Sequence, residues 1–276
     1  MAPRKPKKTE KSPYIFQEYH SLNELTDAFE ATPAENNSKV YYKPNFCPFS
    51  FNETLNSLRH GWHDGNREIH AITEQINTSS MLAPGGYEAS YDVTGDFLDV
   101  AAYLEGVPEC MGSIIPLHVM RDAVTVVVNA SASSFISERS IRTRGAAITA
   151  LIDRLQDTYD VNLIVGINSD GTNHGEAGGL EIAWHIDLQN EFSRDLVAFA
   201  VAHPGFLRRV YFSLAEQAFH TEHCKGYGFA LELKQALSAL KGQKYYYFPV
   251  NNGEGYWNST EAAPARVNEI MREITG

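Results

Sequence analysis

Cysteine is scarce: Cys47, Cys110 and Cys224 are the only three, they lie far apart, and no two form a CxxC pair. An odd, scattered set excludes a disulfide framework and a zinc ribbon, and it suits a reducing, intracellular compartment. No apolar run approaches the ~20 residues needed to cross a bilayer, and no hydrophobic segment follows the basic residues at the start, so a soluble chain without a secretory leader is expected. Also missing are a P-loop, a Gly-x-Gly-x-x-Gly fingerprint and a Gly-x-Ser-x-Gly elbow, which removes the usual signatures of phosphate binding, dinucleotide binding and serine hydrolysis. Internal repeats and long low-complexity stretches are absent as well.

Basic charge is in short supply, with 23 Lys and Arg against 34 Asp and Glu and a net charge of −11. Five of those bases, Arg4, Lys5, Lys7, Lys8 and Lys11, crowd the first eleven residues beside Pro3 and Pro6. Two readings of this arm stand: a disordered solubilising end over residues 1–20, or a contact for nucleic acid. The acidic body argues against a broad DNA-binding face. The 276 residues are enough for one large core, or for a main domain with a smaller one.

Taken in order, Ser21 caps a helix over 22–31, with Glu24 in the capping-box place. Residues 40–42 suggest a short strand, and Ser50 or Asn52 caps a helix through Leu55 and Leu58. Residues 61–65 are a glycine-bounded break, and 67–77 read as helix with Ile69, Ile72 and Ile76 in register. The portion 21–110 is thus mainly helical, with a strand at 87–93 and a short helix capped by Asp96 that carries Phe97, Val100 and Leu104.

The richest signal lies at 123–134. Val124, Thr125, Val126, Val127 and Val128 have the composition of a strand covered on both faces, and the run ends at Asn129 in a loop of small and hydroxyl residues. Ser137 then caps a long helix whose stripe is Ile141, Gly145, Ile148, Ile152 and Leu155, with Gly145 expected to let helix approach strand. A second buried strand at 161–167 completes a strand, helix, strand unit. Residues 180–188 alternate with one polar face, as in an antiparallel edge strand. Helices at 193–202 and from Pro204 onward follow, then a stretch at 227–233 that reads as strand or helix, a strand at 244–250, and a terminal helix capped by Ser259 or Thr260. The expected fold is a three-layer α/β domain over 111–276 with a mostly parallel sheet, preceded by the mainly helical portion.

In such sheets ligands gather beyond the carboxyl ends of strands. The loop that holds Asn129, Ser131, Ser133 and Ser134, together with Asn251, Asn252, Glu254, Tyr256 and Trp257 after the strand at 244–250, is therefore the expected partner-binding rim. His220, Glu222, His223 and Cys224 offer zinc ligands without a second cluster, and read as a polar helix end. His174, Glu176, His185 and Asp187 read as solvated residues beside the edge strand, with an acid/base pair as the other reading.

The fragments AYLEGVPECM, DVTGDFLDV and RTRGAAITALIDRL resemble a family of tailed-bacteriophage proteins, over roughly residues 60–170. That likeness implies the cytoplasm of an infected bacterial host. The 129–133 loop resembles the Asp-x-Ser-x-Ser loop of von Willebrand factor A (vWA) domains, with Asn129, Ser131 and Ser133 at the cation-binding positions. The resemblance implies a vWA/Rossmann-like fold, Mg²⁺ as the possible cofactor, and an adaptor role that includes AAA+ ATPases of the MoxR type as partners. Asn129 departs from the pattern, since a neutral amide replaces the carboxylate that a hard dication prefers. Two functions follow: a non-enzymatic phage adaptor that binds a protein through the rim, or a metal-dependent nucleic-acid-processing factor. A virion or host-takeover component is a third.

Overall fold

The computed structural model describes residues 14–32, 49–75, 87–116, 121–170, 179–188, 194–219 and 229–275. In chain order the elements are β1 (Tyr14–Tyr19), α1 (Leu22–Glu30), α2 (Phe51–His60), α3 (Asn66–Thr73), β2 (Tyr87–Asp92), β3 (Phe97–Leu98), α4 (Val100–Leu104), β4 (Met111–Pro116) and β5 (Ala123–Asn129). They continue with α5 (Glu138–Leu155), β6 (Asp160–Ser169), β7 (Gly179–Ile186), α6 (Arg194–Ala202), α7 (Phe212–Phe219), α8 (Gln235–Ala239), β8 (Tyr245–Phe248) and α9 (Ala263–Thr275). A π-helical stretch, Phe206–Tyr211, leads into α7.

The main sheet runs β1-β7-β6-β5-β8 and is mostly parallel. The valine strand β5 is interior, parallel to both β6 and β8. Helix α5 between β5 and β6 is held at its start by Ser137, whose hydroxyl accepts from the Ser140 amide, and it buries Ile141, Ile148, Ile152 and Leu155 as the spacing predicts. Ser21 and Ser50 cap α1 and α2 through the amides of Glu24 and Glu53. These caps satisfy amides that have no partner within the helix.

Five expectations are corrected. First, Tyr14–Tyr19 is not part of a disordered tail: it is the edge strand β1, paired in parallel with β7 from Tyr14 opposite Gly179 to Tyr19 opposite Trp184. Second, β7 is therefore interior. It is antiparallel to β6, and its polar face is covered at Glu181, which is fully buried, while His185 toward its end stays part-exposed. Third, Gly145 faces a helix, not a strand, because a Cβ there would come within 2.2 Å of the Ala202 Cα and 2.4 Å of the Val201 carbonyl oxygen. Fourth, Phe97–Leu98 is a strand, and Asp99 rather than Asp96 caps α4 by accepting from the amides of Ala101 and Ala102. Fifth, around 227–233 the described residues form no strand beyond one bridge, Ala230 to Ser169.

The two faces of the sheet are covered unequally. On one face α5, α6, α7 and α9 pack over Val126, Val128, Leu163, Val165, Ile182 and Trp184. Leu25, Phe29, Leu58, Trp62, Ile69 and Ile72 of the mainly helical portion belong to the same cluster, so α1, α2 and α3 share the core of the α/β unit. On the other face, among the described residues, Val127, Ile164 and Ala183 cluster with Leu233, Ala236 and Leu240 from α8 and its flanks, with Phe16, Leu237 and Tyr247 packed against them. Among the described residues the third layer is one short helix, α8. Strands β2, β4 and β3 form a separate small sheet in that order.

Candidate functional site

At the carboxyl end of β5 the chain builds a closed polar centre. Asn129 is fully buried, and its amide nitrogen donates to the Leu231 carbonyl at 2.9 Å and the Tyr247 hydroxyl at 3.2 Å. Its Oδ1 accepts from the Ser131 amide at 2.9 Å. Ser131 Oγ in turn accepts from the Asn168 amide at 2.9 Å and donates to the Asn168 carbonyl at 3.2 Å, which ties the β5 loop to β6. Asn168 donates from its own side chain to the Glu232 carbonyl at 2.7 Å, so residues 231–233 cross the tips of both strands as a strap.

This geometry explains why position 129 carries an amide. An aspartate there has no hydrogen to give the Leu231 carbonyl, and it would set a buried negative charge against that oxygen and near the Glu232 carboxylate. Glu232 accepts from the Tyr247 hydroxyl and from the Val250 amide. Burial, then the bond to Glu232, push the Tyr247 phenol up, which keeps its proton in place.

Arg144 of α5 closes the centre from the helix side. Its guanidinium is buried and donates to the Asn129 carbonyl at 3.1 Å and the Pro249 carbonyl at 2.6 Å. Burial pushes its pKa down to about 10, opposed chiefly by the field of Glu254, so the group is charged at neutral pH. Glu254 is the matching anion, and its Oε2 is shut away from solvent.

The loops at 129–134 and 251–257 do meet: Ala132 bridges Asn251 in parallel, and the Asn251 amide donates to the Ser131 carbonyl at 3.1 Å. The residues foreseen as a partner-binding rim divide, however. Asn129, Ser131, Asn251 and Trp257 are buried, which corrects their placement on a contact surface. Ser134, Asn252 and Tyr256 are exposed, and Ser133 and Glu254 are half-buried. Phe135, which sequence reasoning passed over, is 78% exposed beside them. Of the three side chains matched to the vWA cation positions, Asn129 and Ser131 already spend their polar atoms on the protein.

A second surface lies on the small sheet. Tyr91, Val93, Leu98, Tyr103, Leu104 and Ile114 are all exposed large apolar residues within 87–116. Every charged residue of that stretch is acidic: Glu88, Asp92, Asp96, Asp99, Glu105 and Glu109, with no Lys or Arg. Strand β3 pairs only with Met111 and Gly112 of β4, so among the described residues the β3 side of β4 is open from Ser113 onward. Exposed apolar residues gathered on one surface mark interaction sites. The absence of bases from 87–116 was readable in sequence; the exposure was not, because a short apolar helix reads as packed.

Among the described residues, the group of His, Asp, Glu and Cys side chains close enough to share a metal ion is Glu18, His20 and His185, at the opposite end of the sheet from Asn129. The basic arm, residues 40–42, His174 and Glu176, and the cluster His220 to Cys224 lie outside the described residues.

One family model, described as a domain of unknown function, DUF7192, matches residues 5–275. The chain belongs to the DUF7192 family. No curated protein and no solved structure matches it. The family thus covers the sheet, the helices and the small sheet together. The architecture of this chain is mixed α/β with a five-stranded, mostly parallel sheet, and no helix among the described residues is long and apolar enough to cross a membrane.

Proposed function

We propose that this DUF7192 chain is a non-enzymatic adaptor, and that the face it offers is the apolar, acidic surface of residues 87–116, with Phe135 and Tyr256 on the loops after β5 and β8 as a separate, second contact. The observation that carries this reading is the concentration of exposed apolar side chains on a stretch whose charges are all negative. Such a face suits a protein partner with basic and apolar residues, including an extended segment that adds to the open edge of β4. It repels a second copy of itself and a phosphate backbone alike. The tailed-bacteriophage likeness, the host cytoplasm, and a MoxR-type AAA+ ATPase as partner belong to this proposal. The closed centre at Asn129 gives the rival metal-dependent nucleic-acid reading no support at that loop, and leaves it resting on the basic arm.

The test is capture from infected-cell lysate, identification of the retained protein, and reconstitution with purified components. Tyr103→Ser with Leu104→Ser should abolish the reconstituted complex, and Phe135→Ser should weaken it less. Added salt should weaken it too, as charge complementarity requires. A complex indifferent to both variants and to salt contradicts the proposal.

A further inference from the structure

The thinly covered face of the sheet carries a constellation that the adaptor reading does not use. Glu18 lies near the end of β1, and His20 follows the strand directly, in the bend that leads into α1. In the parallel pairing Glu18 lies opposite Ala183, which puts His185, two residues on, on the same face as Glu18. His185 Nε2 is 2.7 Å from Glu18 Oε1, His20 Nε2 is 3.8 Å from Glu18 Oε2, and the two imidazole rings sit 4.9 Å apart. One ligand atom from each of the three lies within 4.8 Å of the others.

Local structure holds the three in place. His185 is fixed in an interior strand. Ser21 caps α1 immediately after His20, and the His20 backbone amide donates to Glu24 Oε2 at 2.7 Å, so the chain turns from strand to helix at the ligand itself. Beside them opens a pocket of about 470 Å³ lined by both histidines and by Asp160, Asn162, Asp187 and Gln243. It lies at the far end of β5 and β6 from the closed centre. Apolar side chains, Leu163, Ile186, Leu188 and Leu240 among them, share the lining, and the carboxylates of Asp160 and Asp187 give it the charge that favours a cation.

We propose that Glu18, His20 and His185 form a binding site for a first-row divalent transition metal, zinc being the best match, with its open coordination position facing this pocket. Two imidazoles and one carboxylate are a zinc ligand set, and three protein ligands with a vacant fourth position is the arrangement in which zinc keeps a water or a small exchangeable ligand. A tetrahedral shell with bonds of ~2.1 Å sets its ligand atoms about 3.4 Å apart. The His185–Glu18 contact at 2.7 Å must open to reach that spacing, as it does when a metal replaces the hydrogen between them, while the His20 nitrogen, 3.8 Å from Glu18, must close to it by rotation of its exposed ring. Magnesium, which prefers an all-oxygen shell, fits poorly.

The experiment uses the full chain without a histidine tag, stripped of metal and titrated calorimetrically with zinc chloride, with magnesium chloride as control. One zinc per chain should bind, magnesium should give no heat, and zinc should raise the melting temperature by mass action. Changing a group that merely supports a metal ligand costs ten- to a hundredfold in affinity, so loss of a ligand in His20→Ala or Glu18→Gln should cost at least about tenfold and erase the zinc-dependent rise. His20 is exposed, so His20→Ala tests the site without disturbing the sheet as His185→Ala would. A double change, His220→Ala with His223→Ala, should leave affinity unchanged. The proposal is overturned if zinc gives no heat, if His20→Ala binds as well as the parent, or if the His220 and His223 variant is the one that loses binding.

Discussion

The closed end of β5 and the open surface of 87–116 are built from opposite materials and put them to opposite use. At Asn129 the groups are polar, buried and hydrogen-bonded to one another; on the small sheet they are apolar and left in water. A polar loop beyond a buried strand looks like a binding site in sequence, yet here its hydrogen-bonding capacity goes to a strap and a helix of the same chain. Chemistry-bearing residue types are therefore a weaker guide to function than what their polar atoms already hold.

The largest effect that sharpens this contrast is expected from Asn129→Asp. Restoring the carboxylate of the vWA loop should create no magnesium site, and should cost about 4 kcal/mol because it leaves a buried charge against a carbonyl. Chemical denaturation measures it; a variant that gained stability with magnesium would break the comparison. Next comes acid. Burial, then the Arg142 charge, push the His203 pKa from 6.5 down to about 4, and its Nδ1 accepts from the Gly205 amide. Between those two values the unfolded chain holds the extra proton, so stability should fall as pH drops through that window, by about 3 kcal/mol over the full span. His203→Phe should flatten the slope, and an unchanged slope would show that other groups cause it.

Gly145→Ala should cost about 2 kcal/mol, since a methyl group has no room between α5 and Ala202. The smallest effect is at Leu104, which is 78% exposed: Leu104→Ser should leave stability within about 0.5 kcal/mol. Loss of several kcal/mol there would mean that the apolar surface supports the fold rather than a partner.

Sequence showed β5, α5 and β6 clearly, because composition, an N-cap serine and a regular apolar stripe are local signals. The caps at Ser21, Ser50 and Ser137 were legible for the same reason. Strand β1 was not, since six residues after a basic, proline-containing arm carry little period of their own, and its omission turned interior β7 into an edge. The cluster of Glu18, His20 and His185 was missed along with it. Nor was the closure of Asn129 visible, because Leu231, Glu232 and Tyr247 lie more than a hundred residues away along the chain. Burial of Glu181 is equally non-local: it accepts from the amides of Lys234, Gln235 and Ala236 and so caps α8 from across the sheet.

Native-state hydrogen exchange reads both regions in one measurement. The Ser131 and Asn168 amides, each bonded within the centre, should exchange only through global unfolding, while amides on the open side of the small sheet exchange through far smaller openings. If instead Ser131 and Asn168 exchange by easy local opening, the loop beyond β5 is accessible after all, and the division between a closed centre and an open recognition face is wrong.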